Sequence, residues 1–246
     1  MFGKLFGKKK LKEPVDISLL KTDMHSHLIP GIDDGSPNME TSLQLILEMH
    51  GLGYTKLITT PHISADIYPN TAENIQLQLQ LLKNELVAHE IPVEVTAAAE
   101  YMIDDGFESL LQNKQLQTFS DKHVLIELPY FQAPPNFFEL TFEMQIQGLK
   151  IILAHPERYL FWFNDLGKYE DLKNRGILFQ MNMTSLSGQY SPQVKKMAEK
   201  LIDAGMIDFL GSDLHNSHYL QLLKNTLREP YLKKVIDSGK LQNHKL

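Results

Sequence analysis

The chain has 246 residues, a net charge of −6, 43% hydrophobic and 22% charged residues, and no cysteine. That size and balance suit one large soluble domain. The negative charge argues against nucleic acid as a bulk partner, and the missing thiols exclude disulfides, thiolate zinc sites and cysteine nucleophiles.

The N-terminal segment sets Phe2, Leu5 and Phe6 among five lysines, broken by Gly3 and Gly7 and followed by Glu13-Pro14. Residues 1–16 read as a solvated, disordered basic tail, with docking on an anionic membrane surface or a partner as the other reading. The segment lacks the apolar stretch of a secretory signal, and no run in the chain approaches the ~18 apolar residues of a membrane span. A cytoplasmic protein is expected.

From residue 17 onward, short apolar runs alternate with helical patterns. The runs cover 18–27, 56–62, 93–101, 123–129, 150–155, 177–182 and 207–213, and they are near-continuous, as in parallel strands buried on both faces. Helical patterns cover 37–52 after Ser36, 71–89, and 192–204 after Ser191, with glycines near the ends of the first and last. Strand and helix in sevenfold alternation predict a (β/α)7 parallel barrel in one domain, residues 17–246, with an open doubly wound sheet as the runner-up.

The runs stop at residues with chemistry. The first ends in Asp23-Met24-His25-Ser26-His27, where alternation points His25 and His27 the same way and Ser26 the other. Asp34 follows on the next loop. For its neighbour Asp33, just before Gly35, a turn role is expected. His62 ends the second run and Glu100 the third, Glu127 lies near the end of the fourth, and His155 ends the fifth. Asp213 and His215 repeat the like-facing pair at the seventh, whereas the sixth, Gln180-Met181-Asn182, offers no obvious ligand. Carboxylates embedded in apolar strands, as Glu100 and Glu127 are, cost several kcal/mol unless paired or bound to a cation. His50, His89, His123 and His244 fall outside the pattern, and His218 has no partner in it.

Five histidines and four carboxylates exceed the coordination of one ion and suit two or three divalent ions sharing a carboxylate. The nitrogen and oxygen donors favour manganese, iron, zinc or cobalt over copper(I). Such a cluster suits phosphate-ester hydrolysis, because adjacent ions activate a bridging water and neutralise phosphoryl charge. Arg158, three residues after His155, supplies a planar fork for the phosphate. Tyr68, Tyr101, Tyr130, Phe131 and Phe161 to Phe163 follow strand ends; some offer rings for an aromatic slot, and more of them are expected to be plain packing residues.

Together the Asp-Met-His-Ser-His start, Asp33-Asp34-Gly35, Thr-Pro-His62, Ala-Glu100, Ile-Glu127, Ala-His155-Pro-Glu-Arg158 and Ser-Asp213-Leu-His215 resemble the polymerase and histidinol phosphatase (PHP) family. Within that family, the chain resembles the bacterial tyrosine-phosphatase branch associated with capsular and exopolysaccharide synthesis. The resemblance implies a distorted, TIM-barrel-like (β/α)7 fold with a trinuclear centre. One ion would take His25, His27, Glu100 and Asp213. A second would take Glu100, Glu127 and His155, and a third Asp34, His62 and His215. It also implies a bridging hydroxide as nucleophile, phosphotyrosine on a bacterial tyrosine kinase as substrate, and a capacity to form oligomers. The chain departs from some members by having no arginine in Ile63-Ser64-Ala65 or in Asn216-Ser217-His218-Tyr219. Two alternatives to a tyrosine phosphatase are a phosphatase of small molecules such as histidinol phosphate or a sugar phosphate, and a catalytically silent, metal-stabilised interaction module. An amidohydrolase fits the paired glutamates and the final Asp-x-His less well.

Overall fold

The computed structural model describes residues 10–163 and 165–246. Its strands are β1 Thr22–Asp23, β2 Lys56–Thr59, β3 His62–Ile63, β4 Glu94–Ala97, β5 Glu100–Met102, β6 His123–Glu127, β7 Lys150–Ala154, β8 Leu178–Asn182 and β9 Phe209–Gly211. Between and after them come α1 Met39–Gly51, α2 Ala72–Ala88, α3 Phe107–Gln112, α4 Phe137–Ile146, α5 Leu166–Asn174, α6 Pro192–Asp203, α7 Ser217–Thr226 and α8 Pro230–Asp237.

All seven expected runs are present. They appear as nine strands because the second breaks at Thr60-Pro61 and the third at Ala98-Ala99. Pro61 has no N–H to give a ladder, which accounts for the first break. Every pairing is parallel, within a three-stranded sheet β1-β2-β4 and a six-stranded sheet β3-β5-β6-β7-β8-β9.

Single bonds stitch the two sheets together. The Ala98 amide donates to Thr59 O at 3.0 Å and the Glu100 amide to Pro61 O at 3.1 Å. A lone bridge, Ser26 with Leu214, joins the first run to the last. Below that bridge the Asn243 side chain fills the seam, donating to Thr22 O and Leu210 O and accepting from the Leu210 amide. The ring of strands is thus a distorted barrel closed by isolated bonds rather than by a continuous ladder, and its strand ends gather at one mouth.

Helix starts follow local side chains. Ser191 caps α6 as expected, and Thr71 caps α2. At α1 the cap is Asn38, which accepts from the Thr41 amide at 3.0 Å, while Ser36 is buried and bonded to Ser42. An amide cap two residues further on displaces the hydroxyl.

Apolar residues form two layers. A large cluster lies between strands and helices, and a small inner one joins Met24, Ile58, Ala98, Phe119, Leu125, Ile152, Ala154 and Phe209. Strand periodicity then lifts the ligands above this floor, since Leu125 and Glu127 share a face of β6. Positions 1–9 of the expected tail lie outside the described residues. Beyond them, the Leu11 and Val15 amides donate to Arg228 O and Leu227 O, between α7 and α8, at 2.8 and 2.7 Å. The boundary expected at residue 17 therefore falls inside a segment already bonded to the C-terminal helices.

Candidate metal centre

The structure brings all nine sequence-predicted ligands to the barrel mouth. His25 and His27 lie just past β1, Asp34 on the loop before α1, His62 on β3, Glu100 on β5, Glu127 at the end of β6, His155 after β7, and Asp213 and His215 after β9. Two of them depend on unusual backbone. His155 and Asp213 have φ of 34° and 51°, left-handed values costing about 1–3 kcal/mol for a side-chain-bearing residue. At His155 the turn breaks strand alternation, so an imidazole directly after inward-facing Ala154 also reaches the cavity.

Glu100 is the hub and is completely buried. Its Oε1 lies 3.0 Å from His155 Nε2, and its Oε2 lies 3.2 Å from both His25 Nε2 and His62 Nδ1 and 3.5 Å from His27 Nε2. Asp213 Oδ1 sits 3.4 Å from both His25 Nε2 and His27 Nε2. Glu127 faces His62 Nδ1 at 3.1 Å and His155 Nε2 at 3.8 Å. On the outer side, Asp34 Oδ1 stands 3.5 Å from His62 Nε2 and 3.4 Å from His215 Nε2.

Four groups of donor atoms each fall within 4.8 Å: His27, Asp34, His62 and His215; His25, Glu100 and His155; His25, His27 and Asp213; and His62, Glu100 and Glu127. Glu100 Oε2 and His155 Nδ1 are buried without a hydrogen bond. A carboxylate oxygen converging with imidazole nitrogens and left without a donor is the environment a divalent cation completes. The donors are nitrogen and oxygen only, so the residues fit borderline to hard ions.

Electrostatics fit the same picture. Burial alone disfavours the imidazolium of His25, but Glu100 and Asp213 outweigh it and push the pKa up to about 9. His27 is likewise held well above the usual range against burial, chiefly by Asp33. Glu100 and Asp213 are buried yet drawn well below the ordinary carboxylate range by the facing histidines. His155 goes the other way, lowered by burial and by Arg158 beside it. Without metal, the site holds protons where cations would otherwise balance its carboxylates.

Several supporting residues escaped the sequence reading. The sixth run holds two of the ligands in place. Gln180 Oε1 accepts from His25 Nδ1 at 2.7 Å, and Asn182 Nδ2 donates to Asp213 Oδ2 at 2.6 Å. Asp33 makes the expected turn, accepting from the Gly35 amide, and its other oxygen takes His27 Nδ1 at 2.7 Å. Such partners fix ring orientation and basicity at metal sites. Two glycines allow the close packing behind the histidines. A Cβ on Gly35 would fall 2.4 Å from His27 Cβ, and one on Gly211 2.5 Å from Gln180 Nε2 and 2.8 Å from His25 Cβ.

Arg158 closes one side of the cavity. Its guanidinium lies over the rings of Tyr130 and Tyr190, 5.2 and 4.6 Å from their centroids, and its Nη1 is 3.3 Å from Asp213 Oδ2. The cavity, about 230 Å³, is lined by Tyr130, Asn216 and Tyr219 together with Arg158 and six of the candidate ligands, Asp34, His62, Glu100, His155, Asp213 and His215. Of the anticipated rings, Tyr130 lines it and Tyr68 stacks on His62. Tyr101 is buried elsewhere, accepting from the Gln117 amide, Phe161 and Phe163 pack on the core, and Phe131 faces solvent. His218 bears on Gln189 and reaches none of the ligands.

Comparison with known proteins extends the picture. The family model for capsular polysaccharide synthesis, CpsB/CapC, matches residues 21–240. The putative tyrosine-protein phosphatase CapC of Staphylococcus aureus is 28% identical over 195 residues, 79% of this chain and 76% of that protein. Tyrosine-protein phosphatase YwqE of Bacillus subtilis is 29% identical over 195 residues, 79% of this chain and 77% of that one. A crystal structure from work on YwqE of Bacillus subtilis and CpsB of Streptococcus pneumoniae, described as unique metal-dependent tyrosine phosphatases, superposes with a TM-score of 0.79. It is 26% identical, over 91% of this chain and 90% of that one.

Proposed function

The chain belongs to the capsular polysaccharide synthesis family CpsB/CapC, and from that membership and the geometry of its site we infer that it is a metal-dependent protein-tyrosine phosphatase. The observation that carries this reading is the convergence of nine nitrogen- and oxygen-bearing side chains, from six of the seven run ends and one loop, at the barrel mouth, where six of them line a cavity walled by Arg158. The relatives' tyrosine-phosphatase names support a phosphotyrosine substrate and do not favour the small-molecule or silent-module alternatives. The partner is a phosphotyrosine-bearing protein, with a bacterial tyrosine kinase of capsule or exopolysaccharide synthesis as first candidate.

The ligand sets would be His25, His27, Glu100 and Asp213; Glu100, Glu127 and His155; and Asp34, His62 and His215, with manganese the first candidate metal and iron, zinc or cobalt suited to the same donors. Bound ions would lower the pKa of a coordinated water toward neutrality and neutralise phosphoryl charge. Arg158, stacked between two tyrosines, presents its fork to phosphoryl oxygens with little freedom to lose. Gln180 and Asp33 hold His25 and His27 in one ring orientation, and Asn182 ties one oxygen of Asp213 so that the other faces the histidines. Tyr219 and Tyr130 offer the substrate ring aromatic neighbours. Water oxygen bonds to phosphorus as the phosphorus–oxygen bond to tyrosine breaks, and the phenolate takes up a proton.

No helix among the described residues is long and apolar enough to cross a membrane. The test is a substrate panel. A tyrosine-phosphorylated peptide, histidinol phosphate and a sugar phosphate are compared on manganese-loaded protein with and without chelator. Chelator-sensitive turnover highest on the phosphopeptide is expected, and preference for a small phosphate would overturn the substrate assignment.

A further inference from the structure

Arg158 is the only arginine at the cavity. The other two lie elsewhere, Arg175 against Asp171 and Arg228 against the carbonyls of Leu11 and Lys12, and among the described residues no lysine lines the site. A phosphoryl group presents three oxygens, so further donors have to come from different side chains. Tyr130 is placed to be one. Arg158 Nη2 donates to the Tyr130 hydroxyl at 2.7 Å, and a guanidinium has no acceptor. The Tyr130 oxygen is therefore the acceptor in that bond, and its own hydrogen is left to give. It makes no other hydrogen bond among the described residues. The ring is half exposed and borders the same cavity as Glu100, His155 and Asp213. The cationic neighbour also polarises the hydroxyl, which strengthens it as a donor.

We propose that Tyr130 donates its hydroxyl hydrogen to a phosphoryl oxygen of the bound substrate, beside Arg158. This rests on the phosphatase reading and supplies a phosphate contact from the loop after β6, where sequence offered only an aromatic ring. It makes Tyr130 a substrate-contacting residue, distinct from Tyr190, whose hydroxyl lies 3.5 Å from Asp213 Oδ2 and whose ring backs the arginine.

The test is a double-mutant cycle on manganese-reconstituted protein with Tyr130→Phe, Arg158→Ala and the pair. Inorganic phosphate binding is read by calorimetry and by competition against p-nitrophenyl phosphate. Tyr130→Phe keeps the ring and its stacking, so metal content and unfolding temperature should match wild type. Its phosphate affinity should fall about 10-fold or more, the usual cost of a hydrogen bond to a charged group. A comparable loss should persist in the Arg158→Ala background. Unchanged affinity in Tyr130→Phe overturns the proposal. A loss that vanishes without Arg158 also overturns it, because Tyr130 would then only steady the arginine. Wild-type protein that neither binds phosphate nor hydrolyses the ester defeats the phosphatase reading itself, and this proposal with it.

Discussion

Replacing Gln180 with leucine probes how the ligands are held. Gln180 is completely buried, and its Oε1 stands 2.7 Å from His25 Nδ1. A carbonyl oxygen only accepts, so a hydrogen sits on Nδ1, and Nε2, 3.2 and 3.4 Å from Glu100 and Asp213, is the nitrogen whose lone pair a metal would take once its proton is lost. Leucine keeps the volume but removes that acceptor. It also strips Asn182 Oδ1 of the Gln180 amide, which donates to it at 2.9 Å. Buried polar atoms left unmatched cost about 1–3 kcal/mol each, or about 2–4 °C of unfolding temperature per kcal/mol at this chain length. Loss of a group that orients a metal-bound histidine typically weakens metal binding about 10–100-fold. The assay is calorimetric titration of manganese into metal-stripped protein, with unfolding temperature measured in parallel. Gln180→Glu retains an acceptor and should recover much of the affinity lost in Gln180→Leu. Equal manganese affinity in wild type and the leucine variant would refute the assignment of Gln180 as the group orienting His25.

His27→Ala should release metal and abolish turnover, whereas Arg158→Ala should keep its metal and lose phosphate affinity about 10–100-fold. Metal content and inhibition by phosphate separate the two, and full activity in the histidine variant would exclude the site. Gly211→Ala should weaken metal binding by driving a methyl into His25 and Gln180, while Gly51→Ala, where the methyl meets nothing, should not. Matching metal titrations of the two would contradict this packing. In metal-free protein His25 rises from 6.5 to about 9. A raised folded pKa contributes stability that is complete below pH 6.5 and lost as pH climbs through 9. Metal requires the neutral imidazole, so the rise in unfolding temperature caused by manganese should grow across that window. A rise that is flat or shrinking from pH 6.5 to 9 would contradict it.

Eight of the nine candidate ligands were legible because they stand at or near the end of an apolar run, in residue types that strands seldom bury, and Asp34 because it follows the first of them on the next loop. Gln180 and Asn182 were not, since an amide within an apolar strand carries no metal-binding signature and its partners, His25 and Asp213, lie far off in sequence. The left-handed turns at His155 and Asp213 carry no glycine to announce them. At Asp33, pattern reading caught the local turn and missed the bond to His27, which only the fold brings near. The seven runs and their alternation with helices followed from periodicity. The split into two sheets did not, because hydrogen-bond partners across Thr60-Pro61 and Ala98-Ala99 are a property of neighbours rather than of the run itself. Asn38 outcompeting Ser36 as a cap shows the same limit on the scale of two residues.

Every role proposed for the site depends on these side chains holding catalytic metal ions. Metal content per chain, measured by mass spectrometry beside phosphotyrosine-peptide turnover as chelator is titrated in and manganese restored, tests that directly. Two or three ions per chain, with turnover falling as they leave and returning as they are replaced, is the predicted result. Turnover that survives complete removal of metal would contradict it.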